Sequence, residues 1–144
     1  LKKPDLSKLN ENCLHPGQPN CLLVRKPKRY MTLGVHHVAI NVDNLEDAVE
    51  FYSRYFALRE VTKPNDRAGA WLQSLDGTEI HLRQATVPED NGQHLALLVE
   101  DIEETCNLLT DAGITVTSPK PIGSSLQSFL HDPAGNRLEI HQTA

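Results

Sequence analysis

An internal repeat limits this chain more than any other feature does. The segment His-Val-Ala-Ile-Asn-Val-Asp at 37–43 returns as His-Leu-Ala-Leu-Leu-Val-Glu at 94–100. Each copy is closed by a second apolar-alternating stretch, Glu79-Ile80-His81-Leu82 in the first and Arg137-Leu138-Glu139-Ile140 in the second. Sliding the chain by 57 positions places His37 on His94, and sliding it by 58 places His81 on Glu139. A unit of this size cannot bury a core alone, so the two copies must share one.

Within 37–42 the apolar Val38, Ile40 and Val42 alternate with His37, Ala39 and Asn41, the period of a two-faced strand. Asp43-Asn44 then supplies a helix N-cap with Asp47 in the first turn, and Leu45, Ala48, Val49, Tyr52, Tyr55 and Phe56 form one helical stripe. Strands over 58–62, 70–75 and 79–84 follow, the last two joined at an Asp76-Gly77 hairpin turn. The second copy has the same grammar. A strand over 94–99 leads to an Asp101 cap with Glu104 at the capping-box position, then a stripe of Ile102, Thr105, Cys106, Leu109 and Ala112. Gly113 suits the helix end, and strands over 114–117, 127–130 and 137–142 surround a Pro119/Pro121/Gly123 loop and the 132–135 turn. The expected fold is α+β. Two βαβββ modules, about 35–86 and 93–142, pair into a curved, cup-shaped mixed sheet with helices on its outer face.

Residues 1–33 differ from the rest. Pro4, Pro16, Pro19 and Pro27 exclude a long helix or central strand there, and Arg25, Lys26, Lys28 and Arg29 cluster around Pro27. They read as an extended arm lying over the domain or a partner subunit, with a solvated linker as the plainer alternative; the domain proper is 34–144. The net charge of −5 gives no phosphate-backbone footprint, so no nucleic-acid partner is expected. No run approaches the roughly 18–20 apolar residues that span a bilayer, and no secretory segment follows the opening Leu-Lys-Lys. No membrane association is expected. Cys13, Cys21 and Cys106 lack paired spacing and read as free thiols of a reducing, cytoplasmic compartment.

Alternation turns His37 and His94 away from their apolar neighbours, and His81 and Glu139 away from theirs. All four therefore face the side of the sheet that the helices leave open. Three imidazoles and a carboxylate suit one first-row divalent ion, and the subset His37, His94 and Glu139 is the two-His-one-carboxylate set associated with non-haem iron. His36 falls on the opposite phase, while His141 shares the face of Glu139. Glu139 is the first candidate base, with Glu79 in reserve. Arg83 and Arg137 share the open face and can hold an anionic substrate, or form rim salt bridges instead. Trp71 is either a pocket wall against substrate or plain core.

These residues carry a resemblance to a known family. His37-Val-Ala-Ile with Asp43, the Phe51-Tyr52 helix, His94-Leu-Ala-Leu and the ending Asp132-Pro-Ala-Gly-Asn-Arg-Leu-Glu139 resemble the vicinal oxygen chelate superfamily over residues 35–142. That group includes glyoxalase I, fosfomycin-resistance proteins, extradiol dioxygenases and bleomycin-binding proteins. The resemblance implies metal ligands at His37, His94 and Glu139 and a small-molecule substrate chelated through adjacent oxygens. It also implies lyase or isomerase chemistry and a homodimer whose site is built from units of different chains. His81 stands where bacterial glyoxalase I has Glu, and Phe56-Ala57 stands where the family usually has Leu-Gly. The alternatives it leaves open are an iron dioxygenase and a metal-free drug-sequestering protein.

Overall fold

Alternation and capping place the elements much as the sequence directs. The computed structural model describes residues 32–144 apart from 65 and 67; of the N-terminal arm and its cysteines, only positions 32 and 33 lie inside the described residues. The first module is β1 (His37–Val42), α1 (Leu45–Phe56), β2 (Arg59–Val61), β3 (Ala70–Gln73) and β4 (Glu79–Gln84). The second is β5 (Leu95–Leu98), α2 (Ile102–Asp111), β6 (Lys120–Ile122), β7 (Ser125–His131) and β8 (Arg137–Gln142). Each module makes a four-stranded mixed sheet, β1-β4-β3-β2 and β5-β8-β7-β6, in which the first and last strands run parallel. This is the α+β architecture of two βαβββ units. Among the described residues no helix is long and apolar enough to cross a membrane.

Both helices start on side-chain caps. Asn44 accepts from the Glu46 and Asp47 amides, and Asp101 accepts from that of Glu104, which satisfies first-turn donors that have no partner within the helix. Helix α1 ends at Ala57, which takes a left-handed conformation (φ 52°) without being glycine. An L-residue there costs about 1–2 kcal/mol, part of which glycine returns as chain entropy. Ala57→Gly is therefore expected to raise folding stability by about 0.5–1 kcal/mol, read from the midpoint of urea unfolding.

The helices bury their stripes against one face of each sheet, and the two modules share one apolar core. Tyr52, Leu72 and Leu82 from the first module and Ile102, Leu109, Leu130, Leu138 and Ile140 from the second are fully buried members of it. No strand of one sheet is hydrogen-bonded to a strand of the other, so β1 and β5 are both edge strands. The join is polar as well as apolar. Buried Tyr52 donates to Asp132 Oδ2 at 2.9 Å, and Asn136 Nδ2 donates to the Asn41 carbonyl at 2.9 Å. Asp132 also accepts from the amide and side chain of Asn136. Low-dielectric surroundings and the neighbouring Asp132 carboxylate push the Tyr52 phenol far above its usual range.

The second module departs from the strand pattern expected of it. In place of a strand over 114–117 there is an isolated bridge between Val116 and Leu130. The Thr117 amide still donates to the Phe129 carbonyl at 2.9 Å, but Thr117 Oγ1 accepts from the Phe129 amide and Ser128 Oγ donates to the Thr117 carbonyl, so hydroxyls take up the groups that a longer ladder would pair. Part of the expected Pro119/Pro121/Gly123 loop, Lys120–Ile122, forms β6 instead. Proline is tolerated because β6 is an edge strand, where a missing amide donor breaks no ladder.

Candidate metal centre

The first module gathers its polar side chains on the sheet face away from α1. Strand register sets Ala39 beside His81 and Trp71 on the other side of it. Neighbours Ile80 and Leu82 are buried in the core, so His81 and Glu79 point to the opposite face. There three rings stack. Trp71 and His81 lie 3.9 Å apart between centroids at 3°, and His81 and His37 lie 4.1 Å apart at 11°. Glu79 Oε2 sits 2.8 Å from His81 Nε2. A carboxylate only accepts, so Nε2 carries the proton. That hydrogen bond holds the Glu79 carboxyl below its usual range, with nearby His36 adding to the effect. His36 Nδ1 lies 3.1 Å from His37 Nδ1.

The second module repeats the register with different chemistry. Ala96 lies beside Glu139, and Phe129 lies on its other side, where Trp71 stands in the first module. Glu139 is 7% exposed, which makes it one of the few buried charged groups among the described residues. Its Oε2 is 2.8 Å from His94 Nε2 and its Oε1 is 2.7 Å from His141 Nδ1. His94 Nδ1 is in turn 2.9 Å from the Gly92 carbonyl. Phe129 and His94 meet edge to face at 5.3 Å, and the Arg137 guanidinium lies over the Phe129 ring, 4.4 Å from its centroid.

The four donors thus meet as two pairs, His37 with His81 and His94 with Glu139. Among the described residues of one chain, no three His, Cys, Asp or Glu side chains are disposed to hold a metal ion. Glu79 lies on the site face beside His81, and Trp71 is half-buried there rather than in the core cluster. Arg137 flanks the His94–Glu139 pair through Phe129, whereas Arg83 lies exposed near the end of β4. Three contributors escaped the sequence reading. His36 precedes β1, so strand alternation does not govern it; the doubled His36-His37 was the available signal. Phe129 was legible from the repeat, since the slide that aligns His81 with Glu139 also aligns Trp71 with Phe129. His141 binds Glu139 directly rather than only lining the face.

The chemistry of the second pair fits a cation. Both His94 nitrogens face oxygen acceptors, yet a neutral imidazole has one N–H. One neutral tautomer serves only one of the two contacts: Nε2–H given to Glu139 leaves Nδ1 facing the Gly92 carbonyl, and Nδ1–H given to Gly92 leaves the Nε2 lone pair facing the Glu139 carboxylate, an arrangement that a metal ion would complete. A backbone carbonyl fixing the tautomer of a ligating histidine is a recurrent outer-shell device. A groove of about 440 Å³ runs between the β1 and β5 edges, lined by Ala39, Asn41, His94, Ala96, Asn136 and Arg137 among others.

The family model described as Glyoxalase/Bleomycin resistance protein/Dioxygenase superfamily matches residues 34–140. A Synechocystis protein named "Probable lactoylglutathione lyase" is 28% identical over 123 residues, 75% of this chain and 94% of its own. A "Trivalent organoarsenical cleaving enzyme" of Bacillus sp. (strain MD1) is 35% identical over 118 residues, 74% of this chain and 71% of its own. Among solved structures, a glyoxalase family protein of Bacillus anthracis superposes with a TM-score of 0.67 at 26% identity, covering 81% of this chain and 99% of that one.

Proposed function

Because the chain belongs to the glyoxalase/bleomycin resistance protein/dioxygenase superfamily, we propose that it is a divalent-metal-dependent enzyme of glyoxalase type. It acts as a lyase or isomerase on a small molecule with adjacent oxygens. The observation that carries this reading is the buried Glu139 carboxylate facing His94 Nε2. Both relatives described above bear the names of bond-cleaving enzymes.

His37, His94 and Glu139 would hold the ion, with His81 beside them. The ion would supply Lewis acidity to the chelated oxygens as charge develops on them. Glu139 has two oxygens oriented by separate histidines, so one can face the ion while the other takes a proton from the reacting carbon. Glu79 is the second candidate for that proton. Phe129 holds Arg137 where it can receive an anionic group of the substrate; Arg83 is a further candidate for that group. Trp71 walls the first half-site and limits water.

The two half-sites are completed, in this reading, across a homodimer. One histidine of each half-site stands at an edge strand, His37 at the start of β1 and His94 just before β5, and Leu98 on the β5 edge is 70% exposed. Open edges and an exposed leucine are features that a partner subunit covers. Protein purified without chelator is expected to carry about one divalent ion per protomer and to elute at dimer mass. Zn, Ni, Co or Mn supports the glyoxalase type, while iron with substrate-dependent oxygen uptake supports a dioxygenase. Absence of metal supports drug sequestration. Refolding inactive His37→Ala and Glu139→Gln chains together at equal amounts is expected to restore about a quarter of wild-type activity, since half the dimers then hold one intact site. No recovery would place the whole site within one chain.

A further inference from the structure

We propose that His81 is not an ion ligand but the middle ring of a clamp that fixes the plane of His37. This rests on the metal-dependent reading above and assigns the site three protein donors. A ligating imidazole nitrogen holds its ion in the ring plane, about 2.0–2.1 Å away. His37 and His81 lie face to face, 4.1 Å between centroids and 11° from parallel. Their in-plane lone pairs run side by side and do not converge on a shared ion. His81 is committed elsewhere too. Its Nε2 proton goes to Glu79, two residues away on the same strand, and Trp71 covers its other face at 3.9 Å and 3°.

The repeat supplies an internal control. Glu139 occupies the register position of His81, each beside an alanine of the module's first strand. Glu139 reaches its module's opening histidine in line, oxygen to nitrogen at 2.8 Å, whereas His81 meets His37 only through its face. One position therefore has the geometry of a donor and the other that of a support. His36 completes the support. With Nδ1 of His37 turned toward Nδ1 of His36, Nε2 of His37 is the nitrogen left for an ion.

The test is titration of the metal-free protein with Co(II), followed by absorption, in wild type, His37→Ala, His81→Phe and His81→Ala. Phenylalanine can stack but cannot ligate. His81→Phe is expected to bind Co(II) within about 3-fold of wild type, while His37→Ala loses at least about 100-fold, more than an outer-shell change usually costs. His81→Ala removes the clamp and is expected to weaken binding about 3- to 10-fold, the scale of one aromatic pair. Emission of Trp71, the single tryptophan, should change in His81→Ala and hold in His81→Phe. Loss in His81→Phe equal to that in His37→Ala would make His81 a ligand and overturn the proposal. Unchanged binding in His81→Ala would overturn it as well. Should His81→Phe not fold, Trp71→Ala removes the outer ring without touching a donor; several-fold weaker binding supports the clamp, and unchanged binding overturns it. A wild type that takes up no Co(II) would instead defeat the functional reading and this proposal with it.

Discussion

Glu139→Gln is expected to weaken divalent-metal binding by at least about 100-fold and to abolish turnover while leaving the fold intact. The substitution keeps the side chain's shape and removes the charge that two histidines face. Outer-shell partners of metal ligands typically contribute 10- to 100-fold in affinity, so a direct carboxylate donor should exceed that range. His141→Ala offers the graded comparison. It deprives Glu139 Oε1 of its partner without touching a proposed donor, and a loss of about 10- to 100-fold is expected. Isothermal titration of the metal-free variants measures both. Wild-type affinity in Glu139→Gln would remove the metal centre from the second module.

Asp132→Ala is expected to cost more folding stability than loss of any one of its hydrogen bonds, on the order of 3 kcal/mol or more, the largest such effect foreseen at a single polar side chain here. Asp132 is 4% exposed and accepts from Tyr52, from the Asn136 amide and from the Asn136 side chain. Removing it leaves a buried phenol without an acceptor. It also frees Asn136, whose side chain ties the second module to the Asn41 carbonyl of the first. Tyr52→Phe removes one hydrogen bond to a charged acceptor and should cost about 1.5–3 kcal/mol. Urea unfolding of both variants separates the contributions. Equal losses would mean that the Tyr52 bond carries the whole effect and that the Asn136 turn stands without its carboxylate.

The sequence was most informative where one face of a strand is buried. The bounds of β1, β4 and β8 agree with the alternation at 37–42, 79–84 and 137–142, because a one-residue slip there would send Ile80, Leu82, Leu138 and Ile140 into solvent. It was least informative at β6. Lys120, Pro121 and Ile122 are all exposed, so no periodicity marks them, and Pro121 argues for a loop until the edge position is known. The facing of the four donors followed from alternation, but their grouping into pairs did not. Which ring stacks and which carboxylate lies in line depends on side-chain rotamers. Trp71 illustrates the gap, since its residue type allows core or wall and only its register with His81 decides.

Strands β1 and β5 each have a hydrogen-bonded neighbour on one flank alone. If the chain pairs as proposed, this ties two processes together. In a single chain the outer margin of either strand has no strand partner among the described residues, and on β1 the Asn136 side chain reaches only the Asn41 carbonyl. A subunit that pairs those margins would contribute to folding and to function in one step. Dilution would then erode thermal resistance and the proposed reaction centre together.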